Sequence, residues 1–563
     1  MLRSTFLGYK TATSALKVNQ NHMDVTGQNI SNINTKGYTR QRLDISSLSF
    51  NTSNMKFGST GVVIGQGVEA NGVSQFRDAF LDLRYRIEAA KSGSEYVQLE
   101  ALSDLESVFD EISMDKLDAQ FSDLAAQLHS LTSSPSDPVM EGVVRTSAEI
   151  LTQMLNDYSR DIETIYEQQL SYLENGAVQK INELTKNIAK LNQQIKESNI
   201  SDNPALELND ERNMLIDELS CYIDIEVDIE PLNIGGGKTI DELVIRLNGT
   251  INELVNRNFS NKVEVIYDDT DITKINITEF VKDAEGIVQK NLDGSPMYKT
   301  DPVNITSKIK GGQIDGYLKF LNGKGEFATA ADTDSVTGYE KAADIKGIQY
   351  YKNMLDTLAF QFADTMNDLN RVPNTYNADG TVATWDLRDL FEERKNVATD
   401  PDVGITAGNI KISSAWASAT DSYITNTIKK KAAGDEDNTG AVDNILRMID
   451  AFNAKNTFKT NVDFDGDDII DVTQKDLFKG TFQEFLSYTT TKLNLQTADV
   501  QISYATYSET QFHIDYARSS MSSVDLNEEG VNLLQYSKSY NAAARLMTTL
   551  DEMLETLINR MGV

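Results

Sequence analysis

Hydrophobic positions recur in steps of three and four at both ends of this 563-residue chain. Near the C-terminus Leu533, Tyr536, Tyr540, Ala543, Met547, Leu550, Leu554, Leu557 and Met561 make an unbroken heptad seam. At the N-terminus Leu2, Phe6, Tyr9, Leu16, Met23 and Ile30 keep the same rhythm, with Thr13, Gln20 and Gly27 in the gaps. Those polar gaps weaken the first stripe as a free-standing helix, and an amphipathic helix in water needs a partner to bury its stripe. The pattern predicts one helix from Ser4 to about Ile30 and another along the C-terminal seam, paired with each other. Charge agrees. Residues 1–45 carry Arg3, Lys10, Lys17, Lys36, Arg40 and Arg42 against Asp24 and Asp44. Residues 525–563 carry Asp525, Glu528, Glu529, Asp551, Glu552 and Glu555 against Lys538, Arg545 and Arg560.

Between the ends the period changes twice. Residues 38–85 alternate and are glycine-rich, which predicts loop and short strands. Helical spacing holds from about Phe80 to Leu131 and stops at the Ser-Ser-Pro-Ser-Asp-Pro turn at 133–138. Two stripes follow: Leu151, Leu155, Tyr158, Ile162, Ile165 and Tyr172, then Ile181, Leu184, Ile188, Leu191 and Ile195, with Asn175-Gly176 interrupting. They read as seams of an intramolecular bundle before partner surfaces. After a helix over 204–220 the period becomes two at Cys221, and strands run to roughly residue 330. Helix returns over 340–371 and 441–453 and dominates from 481. This order predicts an α+β multidomain chain: terminal coiled-coil helices and a helical bundle formed by both ends, with a β-rich domain inserted in the middle. The expected divisions are 1–40 with 525–563 (terminal coiled coil), 41–221, 335–371 and 440–524 (helical rod), 222–334 (β-rich insert) and 372–439 (mixed, loop-rich).

A formal charge of −33 argues against nucleic acid and anionic membrane as partners. Cys221 is the sole cysteine, so no internal disulfide forms, and its setting reads as core filler. There is no apolar run of about 18 residues and no signal-peptide core, so export would need another route. His22, His129 and His513 stand in helical contexts without ligand-spaced partners, and no catalytic motif is present. Gly235-Gly236-Gly237-Lys238-Thr239 reads as a hairpin tip. One segment, Asp463 to Asp471, spaces oxygens as a calcium loop does. However, Asp468 stands where glycine belongs and Gln474 where a glutamate belongs, so an acidic surface turn is the better reading. No enzyme, cofactor or metal site is expected.

Residues 27–41, Gly-Gln-Asn-Ile-Ser-Asn-Ile-Asn-Thr-Lys-Gly-Tyr-Thr-Arg-Gln, resemble the N-terminal signature of bacterial flagellar axial proteins, carried by Asn29, Asn32, Thr35, Gly37 and Tyr38. Tyr38-Thr39-Arg40-Gln41 resembles the hook-associated members in particular. The stretch 524–536 and Tyr540-Asn-Ala-Ala-Ala-Arg545 resemble the matching C-terminal end, and Asp525 with Glu528 reads as a capping box there. Residues 208–219, 311–318 and 355–367 are similar to hook-associated proteins and not to hook or rod. The resemblance implies a structural adaptor ring between hook and filament, exported unfolded through the flagellum itself. It implies as partners further copies of the chain, the hook protein, a second junction protein, and the export apparatus with a chaperone. It also implies terminal helices that order only on assembly, with the signature residues and both seams forming the assembly interface. Two other readings stay open here: a secreted surface adhesin or antigen on the same scaffold, and the hook protein itself.

Overall fold

The computed structural model describes residues 5–48, 67–111, 114–201, 203–235, 238–266, 272–283, 288–292, 295–334, 338–377, 382–395, 404–429, 440–460 and 475–559. The acidic segment 463–471, Leu2 and Met561 lie outside these residues, as do Gly236 and Gly237 of the glycine-rich tip.

Helix α1 (Thr5–Ser31) leads into an antiparallel hairpin, β1 (Gln41–Ser47) and β2 (Val68–Gln75). Three long helices follow: α2 (Ala79–Glu111), α3 (Met114–Leu131) and α4 (Pro138–Ser171). The turn at 133–138 starts α4 as its chemistry demands. The Asp137 side chain caps the Val139 N–H, and Pro138 occupies the first turn, where no N–H partner is needed. Asn175-Gly176 does not break the helix. It sits in a π-helical turn, Tyr172–Val178, that joins α4 to α5 (Gln179–Ile200), so one rod runs from Pro138 to Ile200. Both predicted stripes are buried along it, from Leu151 to Ile165 and from Ile181 to Ile195. Tyr172 is the exception: it begins the π turn and is exposed, while Leu173 beside it is fully buried.

Helix α6 (Leu206–Tyr222) ends where the period changes. Strands β3 (Ile225–Gly235), β4 (Lys238–Leu247), β5 (Glu253–Asn256) and β6 (Phe259–Ser260) form an antiparallel sheet in sequence order. Strands β7 (Lys262–Ile266), β8 (Lys274–Thr278) and β9 (Val303–Asn304) form a second. Apolar residues of β3, β4, β5, β7 and β8 join the same continuous core as the helices. The segment read as β-rich also holds a helix, α7 (Gln313–Asn322), seated on α2. Gly312 enters α7 at φ +84°, and a Cβ there would lie 2.4 Å from the Tyr222 and Ile223 backbone, so only glycine fits.

Helix α8 (Ile348–Asn370) is a central element of the core. Its Phe362 meets Phe121 of α3, and both rings meet Phe452 of α10 (Asp443–Asn453) and Phe482, with centroids 5.4–6.5 Å apart. Between α8 and α10 lie β10 (Val372–Tyr376), β11 (Val382–Asp386), β12 (Phe391–Glu393), β13 (Ile410–Ile412) and a single turn, α9 (Ser414–Ala417). This loop-rich stretch is held to the rod by buried side chains. The Glu141 carboxylate of α4 accepts from Trp416 Nε1 (2.8 Å), Ser422 Oγ (2.7 Å) and Tyr423 N (2.9 Å). Strands β14 (Asn456–Lys459) and β15 (Asp476–Gly480) pair antiparallel before α11 (Phe482–Ser522) and α12 (Leu526–Asn559). A full capping box starts α11: Thr481 Oγ1 accepts from Glu484 N, and Glu484 Oε2 from Thr481 N. No helix among the described residues is long and apolar enough to cross a membrane.

Candidate assembly interface

Helices α1 and α12 lie antiparallel against each other within one chain. Three contacts define a single register. A Cβ at Gly8 would sit 3.3 Å from Leu550, His22 stacks on Tyr536 at 4.3 Å between centroids and 9° between planes, and Asn29 Nδ2 donates to Glu529 Oε2 at 3.3 Å. The same register sets Ala15 opposite Ala543, which is buried. The inward face of α1 is therefore Gly8, Ala12, Ala15, Asn19, His22, Thr26 and Asn29, with small residues toward one end and polar ones toward the other.

That corrects the predicted N-terminal seam by one residue, about 100° around the helix. Leu16, Met23 and Ile30 are half-buried and flank the contact, and Tyr9 is exposed. Phe6 stands in the first turn of α1. The physical reason is volume. Residues on the α12 side are large (Tyr536, Tyr540, Met547, Leu550), and small residues opposite them leave room for that volume and let the helix axes approach. On α12 the predicted positions do lie on the inward side: Ala543 is buried, and Tyr536, Tyr540, Met547, Leu550 and Leu554 are half-buried. Leu533 is 38% exposed, and Leu557 lies in the last turns of the helix. The other side of α1 rests on the β1–β2 hairpin, where Ser14 Oγ accepts from Val68 N.

The signature residues form the joint between this pair and the rod. Asn29, 1% exposed, donates to Gln41 O (2.9 Å) as well as to Glu529, and its Oδ1 accepts from Gln41 N (3.0 Å) and Tyr38 Oη (3.0 Å). Asn32 and Thr35 close the turn after α1 through Thr35 N to Asn32 O (2.9 Å) and Thr35 Oγ1 to Asn32 Oδ1 (3.2 Å). Gly37 has φ +80°, and a Cβ there would overlap Met214 of α6. Burial, with the carboxylates of Glu207, Asp210 and Glu529 nearby, pushes the Tyr38 phenol well above its usual range, so it stays a donor.

Beyond the signature, two motifs distant in sequence meet. Asp210 of α6 accepts from Thr39 N (3.0 Å), Thr39 Oγ1 (2.8 Å) and Gln75 Nε2 (2.9 Å). Gln41 Nε2 donates to Glu207 (3.1 Å). Burial raises the Asp210 carboxyl, while the Thr39 bonds and Arg77 oppose that rise. Arg40 is the main ionic link. Its Nε donates to Glu529 Oε1 (2.7 Å), its other nitrogens fork onto Glu528 (3.0 and 3.1 Å), and its backbone N–H donates to Ser522 O. Glu528 is thus spent on Arg40 and does not complete the expected capping box, although Asp525 Oδ1 does accept from Asn527 N. Arg518 of α11 bridges Asp82 (3.1 Å) and Asp217 (2.6 Å), and Asp217 also takes Arg86 (2.7 Å). Asp82, Asp210, Asp217 and Arg518 line a cavity of about 670 Å³ between the 32–39 loop, α2, α6 and the end of α11. Cys221 lies in its wall, and burial, with Asp217 and Glu218 close by, raises the thiol to about 11, which makes it unreactive.

Spacing alone does not choose the inward face of α1, because an apolar stripe and a small-and-polar stripe both repeat there at helical spacing. The charge balance of the two ends already pointed toward the Arg40 link. Asp210 had neither signal, only its place in the 208–219 segment that resembles hook-associated proteins.

Comparison with known proteins covers the whole chain. A family model described as flagellar hook-associated protein FlgK helical domain matches residues 102–383, half of the chain. Flagella basal body rod protein matches 10–39, and flagellar basal body rod FlgEFG protein C-terminal matches 518–561. The chain is 26% identical over 565 residues to flagellar hook-associated protein 1 of Bacillus subtilis, covering 100% of this chain and 99% of that protein. It is 22% identical over 569 residues to the Escherichia coli protein of the same name, covering 97% and 98%. Among solved structures, the flagellar hook junction protein FlgK from Burkholderia pseudomallei aligns over 55% of this chain and 46% of that one, at 17% identity and a TM-score of 0.37.

Proposed function

The chain belongs to the flagellar hook-associated protein FlgK family, and we propose from that membership how its geometry serves assembly. It is a structural protein of the bacterial flagellum, at the junction of hook and filament. Likeness along the whole length is to proteins named flagellar hook-associated protein 1, which disfavours the hook protein and a surface adhesin as readings.

We infer that like copies form a ring there and that the α1–α12 pair is the assembly element. One observation carries this. With the inward face of α1 made of small and polar residues, its larger apolar residues (Tyr9, Leu16, Met23, Ile30) are left half or fully exposed beside the seam. Leu533, Leu534, Leu546 and Met553 of α12 are exposed as well. A helix pair that keeps its best apolar surface outward is built to be covered by neighbours. The hook protein, a second junction protein, and an export apparatus with its chaperone are the further partners proposed, outside the cell and without nucleic acid or membrane. Residues 222–334 are proposed as an inserted, largely β unit on the helical rod, and 372–439 as a mixed, loop-rich segment. Immunogold labelling or cryo-EM of intact flagella tests the reading. A signal confined to the hook–filament boundary is expected, and a signal along the whole hook would refute it.

A further inference from the structure

Helix α11 is an edge helix for most of its length. Its inner side packs on α2: Tyr504 meets Tyr96 at 5.7 Å, Tyr507 lies under Lys91, and Ile514 is buried. The opposite side carries Leu495, Ile502, Phe512 and Tyr516, each between 63% and 71% exposed, with the exposed Ala498 and Ala505 between them. These positions fall on one heptad seam, broken only at Glu509. Four large apolar side chains in a row are too many for a solvated helix face.

We propose that this outer face of α11 seats against a second copy of the chain, on the α2 patch formed by Phe80, Leu83 and Arg84. The proposal rests on the junction-ring reading above and names a contact surface for the rod in addition to the terminal pair. Two observations select a second copy as the occupant. First, the chain carries −33 overall, so copies repel almost everywhere. From Leu493 to Ser522, however, the charged side chains are only Asp499, Glu509, Asp515 and Arg518. Here two copies can approach at little electrostatic cost. Second, the patch on α2 is complementary. Phe80 and Leu83 are 63% and 48% exposed, and Arg84 stacks over Phe80 at 5.9 Å. Among the described residues Arg84 has no ion-pair partner. Among the described residues Glu509, on the α11 seam, meets only His513 of its own helix, at 3.7 Å. An apolar row edged by a spare carboxylate thus faces an apolar patch edged by a spare guanidinium.

The test uses full-length protein in cells lacking the wild-type chain. Labelling of wild-type flagella comes first, and a missing boundary signal would sink the junction reading itself. With that signal present, Ile502→Asp combined with Phe512→Asp should lower filaments per cell at least tenfold, with an unchanged melting temperature in purified protein. Normal filament numbers would overturn the α11 surface. Arg84→Glu and Glu509→Arg should each reduce filaments several-fold, and the double swap should restore them; no restoration overturns the pairing. A photo-crosslinker in place of Phe512 in assembled flagella should yield a dimer of this chain, linked through residues near Leu83. A product with a different protein, or none, also overturns the proposal.

Discussion

The rod and the terminal pair use the same heptad spacing to opposite ends. Along α4 and α5 the stripe residues Leu151, Leu155, Ile162, Ile181, Leu184 and Ile188 are at most 1% exposed. Along α1 and α12 the comparable large residues stay half-exposed, and apart from Val18 what is buried is small or polar: Ala12, Thr26, Asn29, Glu529 and Ala543. A stripe that closes on its own chain yields a stable, self-sufficient body. A pair that matches small to large and joins through hydrogen bonds gains register with modest burial, and it leaves apolar surface for others. Polar seam residues specify one alignment at a cost in stability.

The largest test separates the two regions by removal. Deleting 525–563 should abolish filament growth while the remaining chain keeps its cooperative unfolding transition, followed by circular dichroism. Loss of that transition would mean the rod depends on the pair, and the contrast would collapse. A finer test compares one substitution in each region. Leu155→Ala should cost about 2–5 kcal/mol in denaturant unfolding, as expected for a fully buried leucine. Leu554→Ala, at a half-exposed position, should cost well under that, and equal costs would erase the distinction.

Glu529→Ala comes next in size. It leaves Asn29 and Arg40 without their shared acceptor, a loss of about 1–3 kcal/mol for a buried polar group. That loss should be read as faster hydrogen exchange confined to α1 and α12, with 151–195 unchanged. In the unsubstituted monomer the terminal amides should already exchange well ahead of the rod, because little apolar area holds them. Protection as strong as the rod's would show a pair that needs no neighbours.

The smallest effects are those of pH, and they have opposite signs. Asp356 of α8 is wholly buried and accepts from Ala407 N at 2.8 Å; burial outweighs that bond and nearby Lys352, raising its carboxyl to about 6. The native state then holds a proton that the unfolded chain has lost. This group's contribution is therefore greatest below about pH 4 and falls as pH rises through about 6. Burial lowers His22, so its contribution is present above its ordinary 6.5 and is lost as pH falls. Acidification should loosen the terminal pair while it favours the rod. Asp356→Asn should flatten the rod's dependence, and His22→Gln that of the pair, in separate unfolding and exchange profiles. Matching signs would refute the assignment.

Period alone determined much of this protein. The helix end near Ile30, the start after the turn at 133–138, the helix end near 220, the α4 and α5 stripes, the switch to strands at Cys221 and the C-terminal seam all follow from spacing and turn chemistry, which act over a few residues. The signature residues were legible too, as a pattern, through Asn29, Gly37 and Tyr38. Only the tertiary structure decided which face of α1 turns inward, since that depends on the size of residues 500 positions away on α12. It alone turned Glu528 from a cap into a partner of Arg40, kept the helix continuous through Asn175-Gly176, and brought Asp210 to Thr39. A carboxylate or a bulky side chain reads the same in any sequence window. Its role is set by what the fold places within about 3 Å of it, and that information is not local.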